Sequence, residues 1–490
     1  MQPILPQDFA GQFVLGTGPV SLPGQVAEDR IGDLYLVRGS DLPLIRVHDG
    51  TGAPIGALLG TPIDYRGGVI PTDRLDLPAP LGDDPDGFIE THIFALGGSF
   101  IFILASGGHA RVYLDACGSL SAVYEPETGR VAATAPALLD AQSVQSRFRA
   151  TLYDRLGVRR EGWFPAGLTA HEGITRLMPN FYLDLDGFTT HRHWPLAPIA
   201  TDPDPDARCA EIMDSSKAIL DLVYRQSPVF TALTAGNETR MMLAASRDHL
   251  QATTFATVEV KDPPLDKDRA GELVARFGLR HRMLPILLAG EAGANDWHAR
   301  NGQCMGGPNM TSFPTVQALG RDIWFVGGLG GEIGRGFFWR PSDTARTEIT
   351  AEGICARFGM PSAPEVTAAV AAWLPSVEGF DAFQTLDLAY LELRMGCWGF
   401  ATSYCNPGRI TIHPLISRES FTAMLSLPPD WRRMEGKSNR MILTCIRHAW
   451  PEVLDLPIST YGDYRDQLYL LRKGIKRPYL VAKKLRKMFG

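Results

Sequence analysis

A segment rich in proline and aspartate divides the chain and limits what can fold on either side of it. It reads "PLAPIATDPDPDARC" and covers residues 195–209. Because proline interrupts both helices and sheets, neither can continue through this stretch. The chain has 490 residues, which is long enough for two domains. We therefore predict an N-terminal domain over 1–200 and a C-terminal domain over 207–490.

The first part of the chain has the pattern of an antiparallel β-rich domain. Short apolar stretches at 93–96, 100–104 and 112–114 are separated by turns that contain glycine. Two apolar arms joined by turn residues occur at 124–134 and again at 182–195, and each predicts a hairpin.

After the boundary, helical and strand patterns alternate. The predicted helices cover 209–226, 240–250 and 266–278, and the predicted strands cover 229–233, 252–260 and 321–328. Strands that alternate with helices in one block predict a doubly wound parallel sheet. From about residue 345 the apolar spacing is mainly helical, which predicts a helical bundle packed on that sheet.

Composition excludes several classes of function. The formal net charge of -6 and the pI near 6.0 give no general attraction to nucleic acid. Seven scattered cysteines without a C-x-x-C pair fit a reducing cytoplasm better than a disulfide framework. The N-terminus has no signal-peptide pattern, and the longest apolar run is too short to cross a bilayer. We therefore expect a soluble cytoplasmic protein, and nothing in the sequence indicates its oligomeric state.

The C-terminal tail is the one strongly basic segment. It carries eight Lys and Arg residues between 472 and 487 and no acidic residue. Such a tail predicts weak contact with an anionic membrane surface. A solvated terminal helix is the plainer interpretation.

The stretch "VFTALTAGNETRMMLAA", 229–245, joins a strand to a helix through a turn of small residues. A parallel strand that leads into a helix through such a turn presents backbone N–H groups and the positive helix end to an anion. Thr234, Ala235 and Gly236 are small enough for a phosphate to approach the main chain. The hydroxyls of Thr234 and Thr239 could donate further hydrogen bonds.

An acid and an arginine inside this turn need a separate explanation. Glu238 would repel a bare phosphate, but it would bind a Mg²⁺ ion placed between them. Arg240 could carry phosphate charge or anchor the start of the helix. The alternative is an ordinary capped helix, with Asn237 or Thr239 as the N-cap and Glu238 favourable to the helix dipole.

The turn resembles the pyrophosphate-binding loop of the asparagine synthetase family, Ser-Gly-Gly-x-Asp-Ser followed by a helix. Thr234 stands for the first Ser, Ala235 and Gly236 for the two Gly, Asn237 for the free position, Glu238 for Asp, and Thr239 for the last Ser. A second loop, "GGLGGEIGRGFFW" at 327–339, resembles the family's Gly-x-Gly-x-Asp-Glu loop. There Glu332 takes the Asp position, while Ile333 replaces the second acid. The segments 111–134, 173–195 and 414–430 also resemble the family.

The resemblance implies a fold and a set of ligands. The N-terminal domain would be a degenerate Ntn-hydrolase-like β sandwich, and the C-terminal domain would be a PP-loop ATP pyrophosphatase-like sheet with a helical bundle. The implied ligands are ATP and Mg²⁺, with Glu238 and Glu332 as metal ligands. The implied nucleotide-binding residues are Thr234, Ala235, Gly236, Asn237, Glu238, Thr239, Arg240, Gly328, Gly330 and Gly331.

Two features of the family are missing. Its glutaminase uses a cysteine that follows the initiator Met, but residue 2 here is Gln and the first cysteine is Cys117. The family also places a lysine in its late helical region, where this chain has Asn439. The neighbouring cations Lys437, Arg440 and Arg447 are the candidate catalytic replacements.

The implied function is an ATP-dependent ligase. It would activate a small-molecule or peptide carboxylate with release of pyrophosphate and join it to an amine that does not come from glutamine. One alternative is an inactive scaffold or binding protein in surface-polysaccharide biosynthesis, in the subgroup of the family that the chain most resembles. Another is adenylation without amide formation.

Overall fold

The chain is described from a computed structural model that covers residues 3–24, 26–260 and 264–468. The basic tail at 472–487 lies outside these ranges. Within them, no helix combines the length and the hydropathy that crossing a membrane would require.

The N-terminal part is dominated by antiparallel strands. The strands are β1 (Phe13–Gly16), β2 (Val26–Ile31), β3 (Leu34–Gly39), β4 (Leu44–His48), β5 (Pro54–Ile63), β6 (Arg74–Asp76), β7 (Gly97–Ser106), β8 (His109–Leu114), β9 (Val123–Glu125), β10 (Arg130–Ala132), β11 (Thr175–Arg176), β12 (Phe181–Asp184) and β13 (Thr189–Arg192). The helices are α1 (Pro85–His92), α2 (Ala135–Leu138), α3 (Ala141–Ser146) and α4 (Ala150–Leu156).

These strands form two sheets over the described residues. One has the order β11-β9-β10-β1-β3-β2, and the other has the order β13-β12-β8-β7-β5-β4-β6. Every pair is antiparallel except β4 and β6. The β-rich antiparallel prediction for this part is confirmed.

The Gly97-Gly98 pair lies inside a strand, which corrects the interpretation of 93–104 as two strands around a turn. Residues 93–96 form the turn after α1, and β7 runs without a break from Gly97 to Ser106. A Cβ atom on Gly98 would lie 2.2 Å from the carbonyl oxygen of Thr61 on β5. Glycine is needed here for close approach of the neighbouring strand, and not for a reversal of the chain.

The C-terminal part alternates helices and strands before it becomes mainly helical. Its strands are β14 (Val229–Ala232), β15 (Thr254–Val258), β16 (His281–Leu284), β17 (Ile323–Val326) and β18 (Arg409–Ile412). Its helices are α5 (Pro205–Val223), α6 (Asn237–Ala245), α7 (Leu265–Phe277), α8 (Glu291–Arg300), α9 (Pro308–Gln317), α10 (Ala351–Phe358), α11 (Pro364–Trp373), α12 (Ala382–Leu388), α13 (Gly396–Trp398), α14 (Ala401–Tyr404), α15 (Arg418–Ser426), α16 (Pro429–Arg432) and α17 (Arg440–Ala449). A π-helical segment, Ala389–Met395, continues α12, and short 3₁₀ turns cover Arg247–His249, Ile333–Arg335, Leu374–Val377 and Pro451–Asp455.

The described strands of this part form a five-stranded sheet in which every pair is parallel. The order is β16-β15-β14-β17-β18, so the direction of winding reverses at β14. Such a reversal opens a crevice at the carboxyl ends of the two strands beside it, where open α/β sheets bind ligands. The loops after β14 and β17 therefore border that crevice.

One strand of this sheet lies inside the region after residue 345 that the sequence predicts as mainly helical, and the prediction did not include it. β18 pairs with β17, with Ile323 opposite Arg409. It has four residues and is surrounded by helical spacing, so periodicity did not separate it from the bundle. The helices predicted for this region are present as α10 to α17.

The change of architecture falls inside the predicted linker. The antiparallel sheets end at Arg192, and α5 begins at Pro205 with Asp204 accepting a hydrogen bond from the backbone N–H of Ala207 as N-cap. A buried ion pair joins the two parts: Arg192 donates both Nη groups to Glu392 at 2.7 Å. The largest cluster of buried apolar side chains also runs through both parts.

Candidate functional site

The turn after β14 is stabilised by its own hydroxyl groups. The backbone N–H of Gly236 donates to Oγ1 of Thr234 at 3.0 Å, and the Thr234 and Thr239 hydroxyls are hydrogen-bonded at 2.7 Å. Gly236 is the N-cap of α6, and no side chain caps that helix among the described residues. The first N–H groups of α6 are therefore open toward the crevice.

Part of the turn is already in contact with an anion of the protein itself. The backbone N–H of Ala235 donates to Oδ1 of Asp266 at 2.9 Å. Asp266 lies in the first turn of α7, where its charge also favours the helix dipole. A carboxylate thus occupies one of the positions that the sequence assigned to phosphate.

Glu238 and Glu332 meet at the crevice. Glu238 lies in the first turn of α6, after β14, and Glu332 lies in the loop after β17. These two strands are neighbours in parallel register, with Thr231 opposite Val326. The glutamate side chains are only 17% and 16% exposed. Burial and the nearby charge of Glu238 raise the pKa of Glu332 above its usual range.

The glycines of the second loop allow this approach. A Cβ atom on Gly328 would lie 2.7 Å from the Cβ of Glu238, and one on Gly331 would lie 2.7 Å from its Cγ. Gly330 has a φ of +102°, and its N–H donates to Oε2 of Glu332 at 3.1 Å. These predicted nucleotide-binding glycines contact the two glutamates and let them come together.

A cation that the sequence analysis did not identify joins the two acids. The Nε–H of Arg335 donates to Oε1 of Glu238 at 2.7 Å, and its Nη2 lies 3.6 Å from Oε1 of Glu332. Arg335 follows Glu332 by three residues in the 3₁₀ turn, so both side chains leave the same side of that turn. The three-residue spacing between Glu332 and Arg335 is the sequence feature from which this contact could have been predicted.

The two carboxylates suit a metal ion that binds together with the phosphates of a nucleotide. They suit less well a metal ion that the protein would hold by its own side chains alone. Mg²⁺ at nucleotide sites uses one or two protein carboxylates and completes its shell with phosphate oxygens and water. Glu238 and Glu332 supply that number, although Arg335 holds one oxygen of Glu238. Among the described residues, no group of three or more His, Cys, Asp or Glu side chains could hold a metal ion.

The candidate catalytic cations are only partly brought to the site. The carbonyl oxygen of Lys437 accepts a hydrogen bond from Nδ2 of Asn237 at 3.0 Å, so this backbone touches the turn while the residue is exposed. Arg440 is 57% exposed at its side chain and lies over the Trp431 ring at 3.9 Å. Arg440 and Arg447 line a separate surface cleft, to which neither loop contributes a residue. The structure therefore does not place these two arginines at the crevice.

Asn439 contacts the segment that follows Glu332. It is the N-cap of α17, and its Nδ2 donates to the carbonyl oxygens of Gly334 and Arg432 at 3.0 and 2.7 Å. Its role is to hold the loop that carries Glu332. Because its side chain is a neutral amide, it does not supply the positive charge of the family's lysine.

Arg240 takes the second of its two predicted roles, that of an anchor. Its side chain is fully buried, and Nη1 donates to the carbonyl oxygens of Val453 and Leu456 at 2.9 Å each. The backbone N–H of Ser459 in turn donates to the carbonyl oxygen of Ala235 at 2.7 Å. Arg240 thus ties α6 to the segment that packs over the turn, and its binding of phosphate stays a prediction that these contacts do not support.

Comparison with known proteins adds no relative to this picture. No protein-family model matches the chain, and no curated protein matches it significantly. The resemblance to the asparagine synthetase family therefore rests on the motifs quoted above.

Proposed function

We propose that this crevice binds ATP and that the chain is an AMP-forming carbon–nitrogen ligase. The observation that carries the proposal is the meeting of Glu238 and Glu332, from the two strands where the winding reverses, beside the open N-terminus of α6. Two acids held next to each other are unfavourable unless a positive group shares them. In this proposal the C-terminal part is a PP-loop ATP pyrophosphatase-like domain.

The reaction has two balanced steps. A carboxylate oxygen of a small-molecule or peptide acid bonds to the α-phosphorus of ATP, and the bond to pyrophosphate breaks. The nitrogen of an amine then bonds to the acyl carbon, AMP leaves with its oxygen, and the amine loses a proton.

Each group at the crevice has a place in this proposal. The open N–H groups of α6 and the hydroxyls of Thr234 and Thr239 would hold the pyrophosphate end of ATP. Glu238 and Glu332 would hold the Mg²⁺ of the nucleotide, which supplies positive charge to the phosphates when bound. Arg335 would then be free to turn toward developing negative charge.

The N-terminal part is proposed as a degenerate, Ntn-hydrolase-like domain without glutaminase activity. The sequence has Gln at position 2, and Cys117 is 1% exposed. Burial raises the pKa of the Cys117 thiol well above its usual range, so it stays protonated and unreactive. The amine would therefore come from a substrate.

A second candidate function is a binding protein or scaffold without catalysis, in surface-polysaccharide assembly. Two contacts favour it: Asp266 occupies the N–H of Ala235, and Arg335 occupies the position between the glutamates. On this view the protein's own charges replace the nucleotide and the ion.

Calorimetric titration with ATP, with and without Mg²⁺, separates the two. The ligase proposal expects binding that depends on Mg²⁺ and that weakens at least tenfold in Glu238→Gln and in Glu332→Gln. The matched control is Glu127→Gln, which changes an exposed glutamate in the N-terminal part. This variant should bind ATP as wild type does.

The product completes the test. Release of pyrophosphate from ATP in the presence of an acid substrate supports the ligase. Absence of ATP binding under both conditions, with a folded protein, refutes it and favours the scaffold. Release of pyrophosphate with formation of the acyl-adenylate, or of the AMP and free acid that water produces from it, but with no amide, would favour adenylation alone.

A further inference from the structure

A second cavity lies beside the crevice, and two nitrogens on its wall, Nε1 of Trp163 and Nε of Arg394, lack hydrogen-bond partners among the described residues. It encloses about 660 Å³, which is within the range of small-molecule sites. Both parts of the chain contribute to its wall, including Trp163 from the N-terminal part and Phe337, Arg394 and Trp398 from the C-terminal part. We call it the Arg394 cavity.

Arg394 has an environment that suits a bound anion. Its guanidinium lies 4.7 Å from the ring centre of Phe337, 5.1 Å from Trp163, 5.3 Å from Tyr390 and 5.5 Å from Trp398. Among the described residues no carboxylate lies within ion-pair distance of it, although the charge of Glu332 acts on it, and its Nε is buried without a hydrogen bond. Arg357, on the same cavity, is held by Asp343 at 2.8 and 2.9 Å.

Trp163 gives an independent indication of a missing acceptor. It is only 4% exposed, yet its indole Nε1 has no hydrogen-bond acceptor within the described residues. A buried indole N–H normally finds a partner. An oxygen that reached between Trp163 and Arg394 would supply the acceptor that both groups lack.

The backbone around Arg394 is also unusual. Arg394 lies in the π-helical segment Ala389–Met395, and π-helical segments occur frequently at functional sites. The same segment carries Glu392, whose carboxylate is fixed by Arg192. Arg394 is therefore held on a fixed element that lines the cavity.

The Arg394 cavity is connected to the crevice through one ring. Phe337 lies between two guanidinium groups, with Arg335 at 5.2 Å and Arg394 at 4.7 Å from its centre. Since Arg335 also holds Glu238, a ligand in the cavity would lie one aromatic ring away from the two glutamates.

We propose that the Arg394 cavity binds an organic acid, with its carboxylate on Arg394 and a ring or other flat apolar part against Phe337 and Trp398. The aromatic walls favour a flat ligand, and the guanidinium favours an anion with a planar, two-oxygen head. That this acid is a substrate of the ligase rests on the proposed function. Binding of the acid by the cavity does not rest on the proposed function.

The test uses matched pairs of small probes that differ in the carboxylate alone. Benzoate is compared with benzamide, and 2-naphthoate with 2-naphthamide, by saturation-transfer NMR and by quenching of tryptophan fluorescence. We expect the acid of at least one pair to bind, and its neutral partner to bind at least tenfold more weakly. Equal binding of acid and neutral partner, or no binding of either acid, overturns the proposal.

Three variants locate the binding. Arg394→Gln should weaken binding of the acid at least tenfold. Arg394→Lys keeps the positive charge but loses the planar pair of N–H donors, so it should weaken binding less. Arg225→Gln, at an exposed position outside the cavity, is the matched control and should stay within twofold of wild type. Wild-type affinity in folded Arg394→Gln and Arg394→Lys would place the acid elsewhere and overturn the proposal.

The titration contains no ATP, so its outcome is separate from that of the ligase proposal. Probe binding by a protein that binds no ATP in the separate calorimetric titration, with or without Mg²⁺, would retain the cavity and reject the ligase. Pyrophosphate release without probe binding at Arg394 would do the reverse.

Discussion

The Nε of Arg335 lies 2.7 Å from Oε1 of Glu238, although 97 residues separate them in the chain. The contact joins the two loops that border the crevice and brings a single positive charge to a pair of acids.

Arg335→Gln should destabilise the protein by about 2 kcal/mol near neutral pH, because it leaves the acids without a partner. The pKa of Glu332 is already raised, so the folded state holds its proton more tightly than the unfolded state does. Stability from this group is therefore lost as the pH rises above its unfolded pKa, and removing Arg335 should enlarge that loss. Urea denaturation at pH 5 and pH 8 measures the difference.

Two controls accompany that variant. Arg346→Gln removes an exposed arginine and should leave both curves unchanged. Excess Mg²⁺ should stabilise Arg335→Gln more than wild type, because the ion can replace the guanidinium. Equal destabilisation at both pH values would show that the charge of Arg335 is not shared by the glutamates.

Asp266→Asn should strengthen ATP binding. An asparagine oxygen can still accept the N–H of Ala235, so the turn is kept while one negative charge is removed from the anion site. The expected gain is about 1 kcal/mol, or roughly fivefold in the calorimetric Kd. Asp248→Asn, at an exposed position, is the control. Weaker binding in Asp266→Asn would mean that this carboxylate assists the nucleotide.

Arg240→Gln should reduce stability by about 3 kcal/mol, because the carbonyl oxygens of Val453 and Leu456 lose a buried charged donor. The ATP affinity of the folded protein should remain within twofold of wild type. Arg440→Gln should change neither quantity, since its side chain is on the surface. A large loss of ATP affinity at unchanged stability would restore the phosphate-binding role of Arg240.

Glu392→Gln should cost about 3 kcal/mol and should separate the unfolding of the two parts of the chain. It leaves the Arg192 guanidinium, whose side chain is 9% exposed, without its negative partner. Denaturation followed by far-UV circular dichroism and by tryptophan fluorescence should then give two midpoints. Asp76→Asn, which breaks an exposed pair with Arg74, is the control and should produce no measurable change. Coincident midpoints would exclude this linking role.

His413 should make the second loop sensitive to acid. Its Nδ1 accepts the N–H of Leu329 at 3.3 Å, and burial lowers the pKa of His413 to about 4. The unfolded state takes up the proton near pH 6.5 and the folded state near pH 4, so stability falls as the pH drops through this window. The loss approaches about 3 kcal/mol for this residue.

His413→Asn should flatten that part of the pH profile, because an amide oxygen can accept from Leu329 without a proton. Urea denaturation at several values between pH 4 and pH 7.5 measures the slope. His191→Asn, at an exposed position, should keep the wild-type slope. Parallel profiles for wild type and His413→Asn would contradict the assignment.

Periodicity and composition were sufficient for the main architecture. The proline-rich linker, the alternation of strands and helices after it and the strand–turn–helix at 229–245 are local features, and each is present. The end of α7 at Gly278, with a φ of +62°, also follows from the residue itself. Short segments that pair with distant parts of the chain were harder to predict from the sequence. Both β18 and the position of Gly97 and Gly98 inside β7 depend on neighbouring strands.

The sequence by itself determined that small and acidic residues follow two parallel strands, since these are properties of neighbouring residues in the chain. Only the tertiary structure decided which charges meet there. It placed Arg335 between Glu238 and Glu332, brought Asp266 to the turn, and turned Arg240 away into a buried contact with backbone carbonyls. The reason is physical: pairing of charges depends on distance and burial, and both are fixed by how distant segments pack.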